Sequence, residues 1–468
     1  MLPSPKSPFV HPDRLRASFS EAMSEMYRGE VPAYGALLDL VADVNRGVLG
    51  EDAELRERLV RTDSLERLSA ERHGAIRLGT GDELRAMRRV LAVMGMQPVG
   101  YYDLSTAGIP VHATAFRPVG ETALKANPFR IFTSVLRLDL VADRELREAA
   151  AAVLGRRRIF TDAALSLVSI AESQGGLDQE QGRAFLDEIL STFRWHGEAN
   201  VERSLYERLH AAHRLVADVV SFRGPHINHL TPRTLDIDAV QEQMPRRGII
   251  PKAVIEGPPR RSCPILLRQT SFKAQRESVA FRSGGTVTPG SHTARFGEIE
   301  QRGAALTRTG RALYDRLLAE ARSEILPAPD GSNAAEYGRA LERAFGGFPD
   351  SWDELRRRKL AYFEYGVARR DVELCASEAS LEELVRRGLI VGDPIVYEDF
   401  LPVSAAGIFQ SNLGDAGRQE FETSPSRQAF EDALGCRVLD EFEHYAMIEA
   451  QSLDRCARAL GIERIRHA

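Results

Sequence analysis

Residues 224–238 read GPHINHLTPRTLDID. Two histidines, His226 and His229, stand between Pro225 and Pro232. Prolines on both sides disfavour a helix, so the stretch reads as a strand. Successive strand side chains face opposite sides, so residues three apart diverge and at most one of these histidines reaches a common site. Parity alone does not say which.

The choice comes from an earlier stretch of the same design. ERHGAIR reads as a strand carrying His73, and TGDELRAMRRVLAVMG follows as a helix. In that helix Thr80 and Glu83 form a capping-box pattern, Leu84, Met87, Leu91 and Met94 mark one face, and Gly95 is the stop. PVGYYDL, IPVHATAFRP and FRIFTSVLRLDL then read as strands, giving the order βαβββ. After HINHLTPR comes a short helix, DIDAVQEQM, closed by Pro245 and Gly248, and then KAVIEG, PILLRQTSFKA, SVAFR and ARFGEIEQRG. The order returns. Placing His73 on His229 sets TAFR (Thr114–Arg117) on TSFK (Thr270–Lys273), both beginning 41 residues downstream. A shared offset inside a shared order reads as a duplicated module, with His229 as the partner of His73.

Around these series the chain is helical. The expected organisation is a helical cover over 1–66, a first βαβββ module over 67–141, a helical insertion over 142–220, a second module over 221–304, and a mainly helical region over 305–468. The fold class is α+β. One stretch, YEDFLPVSAAGIFQSNLG at 397–414, is apolar and small-residue-rich but fits neither period, and reads as a buried crossover or a lid over a pocket.

Composition narrows the function. Of 468 residues, 43% are hydrophobic and 28% charged, as in an ordinary globular protein. A net charge of −5 without a dense basic block argues against nucleic acid and anionic membrane as partners. Cys263, Cys375, Cys436 and Cys456 are scattered without a CxxC pair, which suggests no disulfide framework or zinc ribbon and fits a reducing cytoplasm. The N-terminus has no apolar signal core, and no run of about 18 apolar residues occurs, so the chain is read as soluble and unexported. A P-loop, HExxH, GxSxG and a complete GxGxxG are all missing from it.

What remains is His and Glu on strands. His73 and Arg77 share a face, roughly 13 Å apart at about 3.3 Å per residue, far enough to address opposite ends of a small acid. Glu298 and Glu300 also share a face, and two such carboxylates are costly to bury without a cation or donors. Two imidazoles and one carboxylate make the facial triad of a non-haem Fe(II) site, with positions left open for oxygen and a chelating substrate. Each residue also has a plainer reading. A lone strand histidine is commonly structural, and His112, His196, His210, His213 and His292 are read so; Glu300 and Arg302 form a same-face ion pair, and Arg77 a surface arginine.

Paired βαβββ modules of this kind resemble the vicinal oxygen chelate enzymes. INHLT and EIEQRG are similar to the metal strands of 4-hydroxyphenylpyruvate dioxygenase, whose E-x-x-Q-R pattern falls on Glu298, Gln301 and Arg302. ERHGAIR, MGMQPVGYYDLS, FRGPHINHLTPRTLDID, SHTARFGEIEQRGAALT and the 397–414 stretch resemble the bacterial 2-oxoadipate dioxygenase/decarboxylase family, the hydroxyglutarate synthases of lysine breakdown, over residues 10 to 460. The resemblance implies an incomplete β-barrel around Fe(II) held by His73, His229 and Glu298. It also implies a substrate carboxylate on Arg77 and part of the acid on the backbone around Val403 and Ser404, where successive N–H groups suit an anion. His226 is then structural or supports the site from behind. The implied reaction converts 2-oxoadipate and O2 to 2-hydroxyglutarate and CO2, the substrate itself supplying the electrons. Two rivals are a redox-neutral isomerase or lyase using Zn²⁺ or Ni²⁺ as a Lewis acid on a small 2-oxo acid, and a non-enzymatic helical scaffold with structural strands.

Overall fold

The computed structural model describes residues 8–62, 64–272, 276–283, 286–328, 331–369, 378–401 and 427–466. Its centre is a mixed sheet of β1 (Arg72–Leu78), β2 (Gln97–Asp103), β3 (Val111–Arg117), β4 (Arg130–Leu136) and β5 (His229–Pro232), in the order β2-β3-β4-β1-β5. β1 runs parallel to β4, with His73 opposite Arg130. It runs antiparallel to β5, with His73 opposite Thr231 and Ala75 opposite His229.

The two faces of β1 differ in chemistry. Ile76 and Leu78 pack with Leu84, Met87 and Leu91 of the helix Gly81–Val93, which supplies the apolar face expected of it. That helix starts where Thr80 accepts from the backbone N–H of Glu83 and stops at Gly95, whose φ of 71° suits a residue without Cβ. The other face carries His73, Ala75 and Arg77, and the small Ala75 leaves room between the two polar residues. Gly74 is required by a neighbour: a Cβ there would lie 2.5 Å from Ile227 Cδ1.

Beyond β5 the sheet continues more loosely. β6 (Leu267–Ser271) pairs antiparallel with β9 (Glu298–Arg302). β9 meets the end of β5 where Arg233 faces Glu300 and Thr234 N donates to Glu300 O at 2.8 Å. On the far side of β6, residues 251–256 pair at Pro251–Phe272 and Glu256–Gln269. The strands therefore succeed one another as 251–256, β6, β9, β5, β1, β4, β3, β2. β3 and β6 hold matching places, and the aligned tetrapeptides begin on them at Thr114 and Thr270.

Three elements differ from expectation. KAVIEG is not a regular strand, because Pro251 at one end and Gly257 with Pro258 at the other limit it to isolated pairs. SVAFR belongs to an added hairpin, β7 (Arg276–Ser283) with β8 (Thr286–Thr293), in which Val279 and Phe281 are the buried apolar residues. After residue 304, Phe363–Val367 and Ile390–Pro394 pair as strands where a helix was expected, since the inward alternation of Phe363 and Tyr365 has period two.

Helices cover the rest: Pro12–Glu30, Pro32–Glu51 and Ala53–Arg61 at the start, and five between Arg144 and Ser221. Among the described residues no helix is long and apolar enough to cross a membrane, and Cys263, Cys436 and Cys456 are free thiols.

Candidate metal centre

β1, β5 and β9 bring His73, His229 and Glu298 together, each presenting one donor atom within 4.8 Å of the others. All three side chains are buried. His73 Nε2 lies 3.1 Å from Glu298 Oε1, and His229 Nδ1 lies 3.3 Å from Glu298 Oε2. The two imidazole rings stand nearly perpendicular, their centroids 5.3 Å apart. Neither ring nitrogen of either histidine, nor Glu298 Oε2, has a hydrogen bond of acceptable geometry. Buried polar atoms normally find partners, so a cluster of unsatisfied nitrogens and oxygen facing one another fits a cation.

The electrostatics prepare two of the three donors, His229 and Glu298, and hold a proton on the third. Burial pushes His229 down to about 4, despite the pull of Glu298, and so keeps it neutral. Burial also opposes charge on His73, but Glu300 and Glu298 outweigh it and hold its pKa above the usual value. Burial would raise Glu298, yet His229 and His73 keep it below the ordinary range and ionised. Neutral imidazole and ionised carboxylate are the forms that bind metal, so His229 and Glu298 stand ready for an ion, and His73 would release a proton to one.

His226 is elsewhere. Its Nε2 is 3.1 Å from the Asn228 side-chain amide and 3.5 Å from Asp218 Oδ1, beneath the ring of Trp195. Parity is obeyed, and the histidine beside His73 is His229. Arg77 is on the same face of β1 as His73, and its Nη1 donates to Asp218 Oδ2 at 2.5 Å. Asp218 Oδ1 is 2.8 Å from His292 Nε2, whose Nδ1 is 2.9 Å from the Tyr206 hydroxyl. Arg77 is thus 3% exposed and engaged in an internal network, against the surface-arginine reading.

On the opposite flank Glu300 sits 2.8 Å from His73 Nδ1 and takes a two-point contact from Arg302. Arginines 302 and 130 lead on to Glu71, Glu398, Arg67 and Arg233, all buried. Phe400 packs edge-on against His73 at 5.0 Å, and neighbouring Asp399 is held by Arg117 and Tyr445. Val403 and Ser404, with all of the 397–414 stretch after Leu401, lie outside the described residues.

A model of the 2-oxoadipate dioxygenase/decarboxylase family matches residues 19–412. The chain belongs to this family. The 2-oxoadipate dioxygenase/decarboxylase of Pseudomonas putida is 55% identical over 463 residues, 98% of this chain and 99% of its own length. That of Escherichia coli is 53% identical over 449 residues, 95% and 98% of the two chains. The crystal structure of the hydroxyglutarate synthase from Pseudomonas putida in complex with 2-oxoadipate superposes with a TM-score of 0.89 at 51% identity, covering 98% of this chain and 100% of that one.

As a member of the 2-oxoadipate dioxygenase/decarboxylase family, the chain carries site features that its motifs did not reveal. Asp218, Tyr206, Gln269 and Phe400 were not singled out, and His292 was read only as structural. Asp218 offered one signal, a lone acid in the apolar helix RLVADVVS. Gln269 offered another, a polar residue of the right parity opposite Glu300 on β6.

Proposed function

We propose that the chain converts 2-oxoadipate and O2 to 2-hydroxyglutarate and CO2 at a non-haem Fe(II) centre held by His73, His229 and Glu298. The observation that carries this reading is identity of 55% across 98% of the chain to the 2-oxoadipate dioxygenase/decarboxylase of Pseudomonas putida. The His–His–Glu group supplies the chemistry such an activity needs. Fe(II) held by these three residues would supply one-electron chemistry and leave room for a chelating 2-oxo acid and O2.

The chain's own residues do the rest. Arg77 would hold the distal carboxylate of the acid by charge-assisted hydrogen bonds and so measure its length. The backbone at Val403 and Ser404 would take a further part of the acid. Phe400 and Phe296, each packed on one of the histidines, keep water from that side of the centre. Asp218 counters the buried charge of Arg77 between substrates. In the same reading the succession of strands represents two βαβββ modules, 67–141 and 221–304, closing into an incomplete barrel, and the free thiols fit a cytoplasmic setting within lysine catabolism.

The test is oxygen uptake by anaerobically iron-loaded protein given 2-oxoadipate. One CO2 and one 2-hydroxyglutarate per O2 are expected. Metal bound at the three residues without any uptake would remove the oxygenase reading and leave a redox-neutral one.

A further inference from the structure

The Glu298 carboxylate is not symmetric. Its Oε1 faces His73 Nε2 at 3.1 Å but accepts from Gln269 Nε2 at 2.6 Å and, more distantly, from Thr231 Oγ1 at 3.4 Å. Its Oε2 is buried, accepts no hydrogen bond, and lies 3.3 Å from His229 Nδ1. The orientation of the Gln269 amide follows from its neighbour, since an ionised carboxylate oxygen can only accept and therefore faces the NH2 end. Gln269 is itself held. Its backbone N–H donates to Glu256 O at 2.9 Å, Glu256 N donates back to Gln269 O at 2.8 Å, and the residue is 3% exposed on β6.

We infer that Gln269 is a positioning residue that occupies Oε1 and so restricts Glu298 to binding the metal through Oε2 alone. The inference rests on the metal reading above and deepens it by a count of positions. Two imidazoles and one carboxylate oxygen fill three of six octahedral places, leaving two for a 2-oxo acid and one for O2. A carboxylate bound through both oxygens would fill a fourth. The chelating acid would then take the last two, and no place for O2 would remain. A hydrogen-bond donor on Oε1 opposes that second bond, and Gln269 is the close donor there.

The test compares the full chain with Gln269→Met, which keeps the volume and removes the donor. Three properties are read: Zn²⁺ affinity by competition with a chromogenic chelator, melting of the metal-free protein, and nitric oxide binding to the Fe(II) protein saturated with 2-oxoadipate, followed by electron paramagnetic resonance. Expected are a change in metal affinity of about ten- to a hundredfold, in line with other residues that orient metal ligands, and a loss of at least tenfold in nitric oxide affinity, with metal-free melting unchanged. Unaltered metal affinity and unaltered nitric oxide binding in Gln269→Met would overturn the assignment. Should that variant fail to fold, the crystal structure of the Zn²⁺-loaded parent decides. Oε1 within bonding distance of the ion overturns the inference, and Oε2 alone supports it. A parent that binds no metal at His73, His229 and Glu298 would instead bring down the proposed function itself.

Discussion

The two flanks of the histidine pair are built on opposite plans. On the Glu71 side four buried guanidinia, Arg67, Arg130, Arg233 and Arg302, interlock with Glu71, Glu300 and Glu398, tying β1, β4, β5 and β9 to the segment before Leu401. On the Arg77 side one guanidinium meets one carboxylate, Asp218, which is backed by His292 and Tyr206. A mesh in which most charges have several partners is suited to fixing strands. An ion pair of one guanidinium and one carboxylate is suited to exchanging the carboxylate for that of a ligand. Under the proposed function, the difference would separate what holds the centre in place from what reads the substrate.

The comparison can be broken in four places. The largest effect should come from the centre itself. His229→Ala is expected to abolish metal retention and oxygen uptake, whereas His226→Ala, three residues away on the other face, retains metal; elemental analysis and an oxygen electrode distinguish them. Next, Glu71→Ala leaves Arg130 and Arg233 without a shared counter-charge inside the protein and should cost about 3–5 kcal/mol in urea unfolding, as removal of one partner from a buried pair does. Arg77→Ala should act on recognition, raising KM for 2-oxoadipate about ten- to a hundredfold through loss of a charged hydrogen bond worth about 1.5–3 kcal/mol. If the same variant is equally impaired on 2-oxohexanoate, which lacks the distal carboxylate, Arg77 does not read that group. The smallest effect concerns pH. Burial holds His226 near 3 against the usual 6.5, so the folded protein refuses a proton that the unfolded chain accepts. Its contribution to stability is complete above pH 6.5 and is lost as the pH falls toward 3; His226→Gln should therefore flatten the decline in urea midpoint between pH 6.5 and 5.

Strand parity and the common offset of 41 residues were enough to select His229 over His226 and to place His73 beside it, because alternation is local to one strand and a repeat is visible as spacing along the chain. Choosing Glu298 over Glu300 needed the resemblance, since parity puts both on one face; in the structure Glu298 lies with His73 and His229 in a group that could hold an ion, and Glu300 contacts His73 from behind. The partners of Arg77 were not legible for a different reason. Asp218 is 141 residues away on a helix, and nothing local to β1 announces the pairing. SVAFR reads as a strand of the second βαβββ series but belongs to the hairpin β7–β8, because alternation reveals a strand but not its neighbour.

The register of β1 against β5 has one more consequence. His73 and His229 come from stretches separated by more than 150 positions in sequence, and only the antiparallel pairing of Arg72–Ala75 with His229–Pro232 makes them one chelator. An ion bound there would act as a clasp between the early and late parts of the chain. Metal present at a thousand times its dissociation constant would add about 4 kcal/mol to the folded state. Scarcity of that ion would then be felt as lost protein, through proteolysis of the unclasped chain, as well as lost turnover.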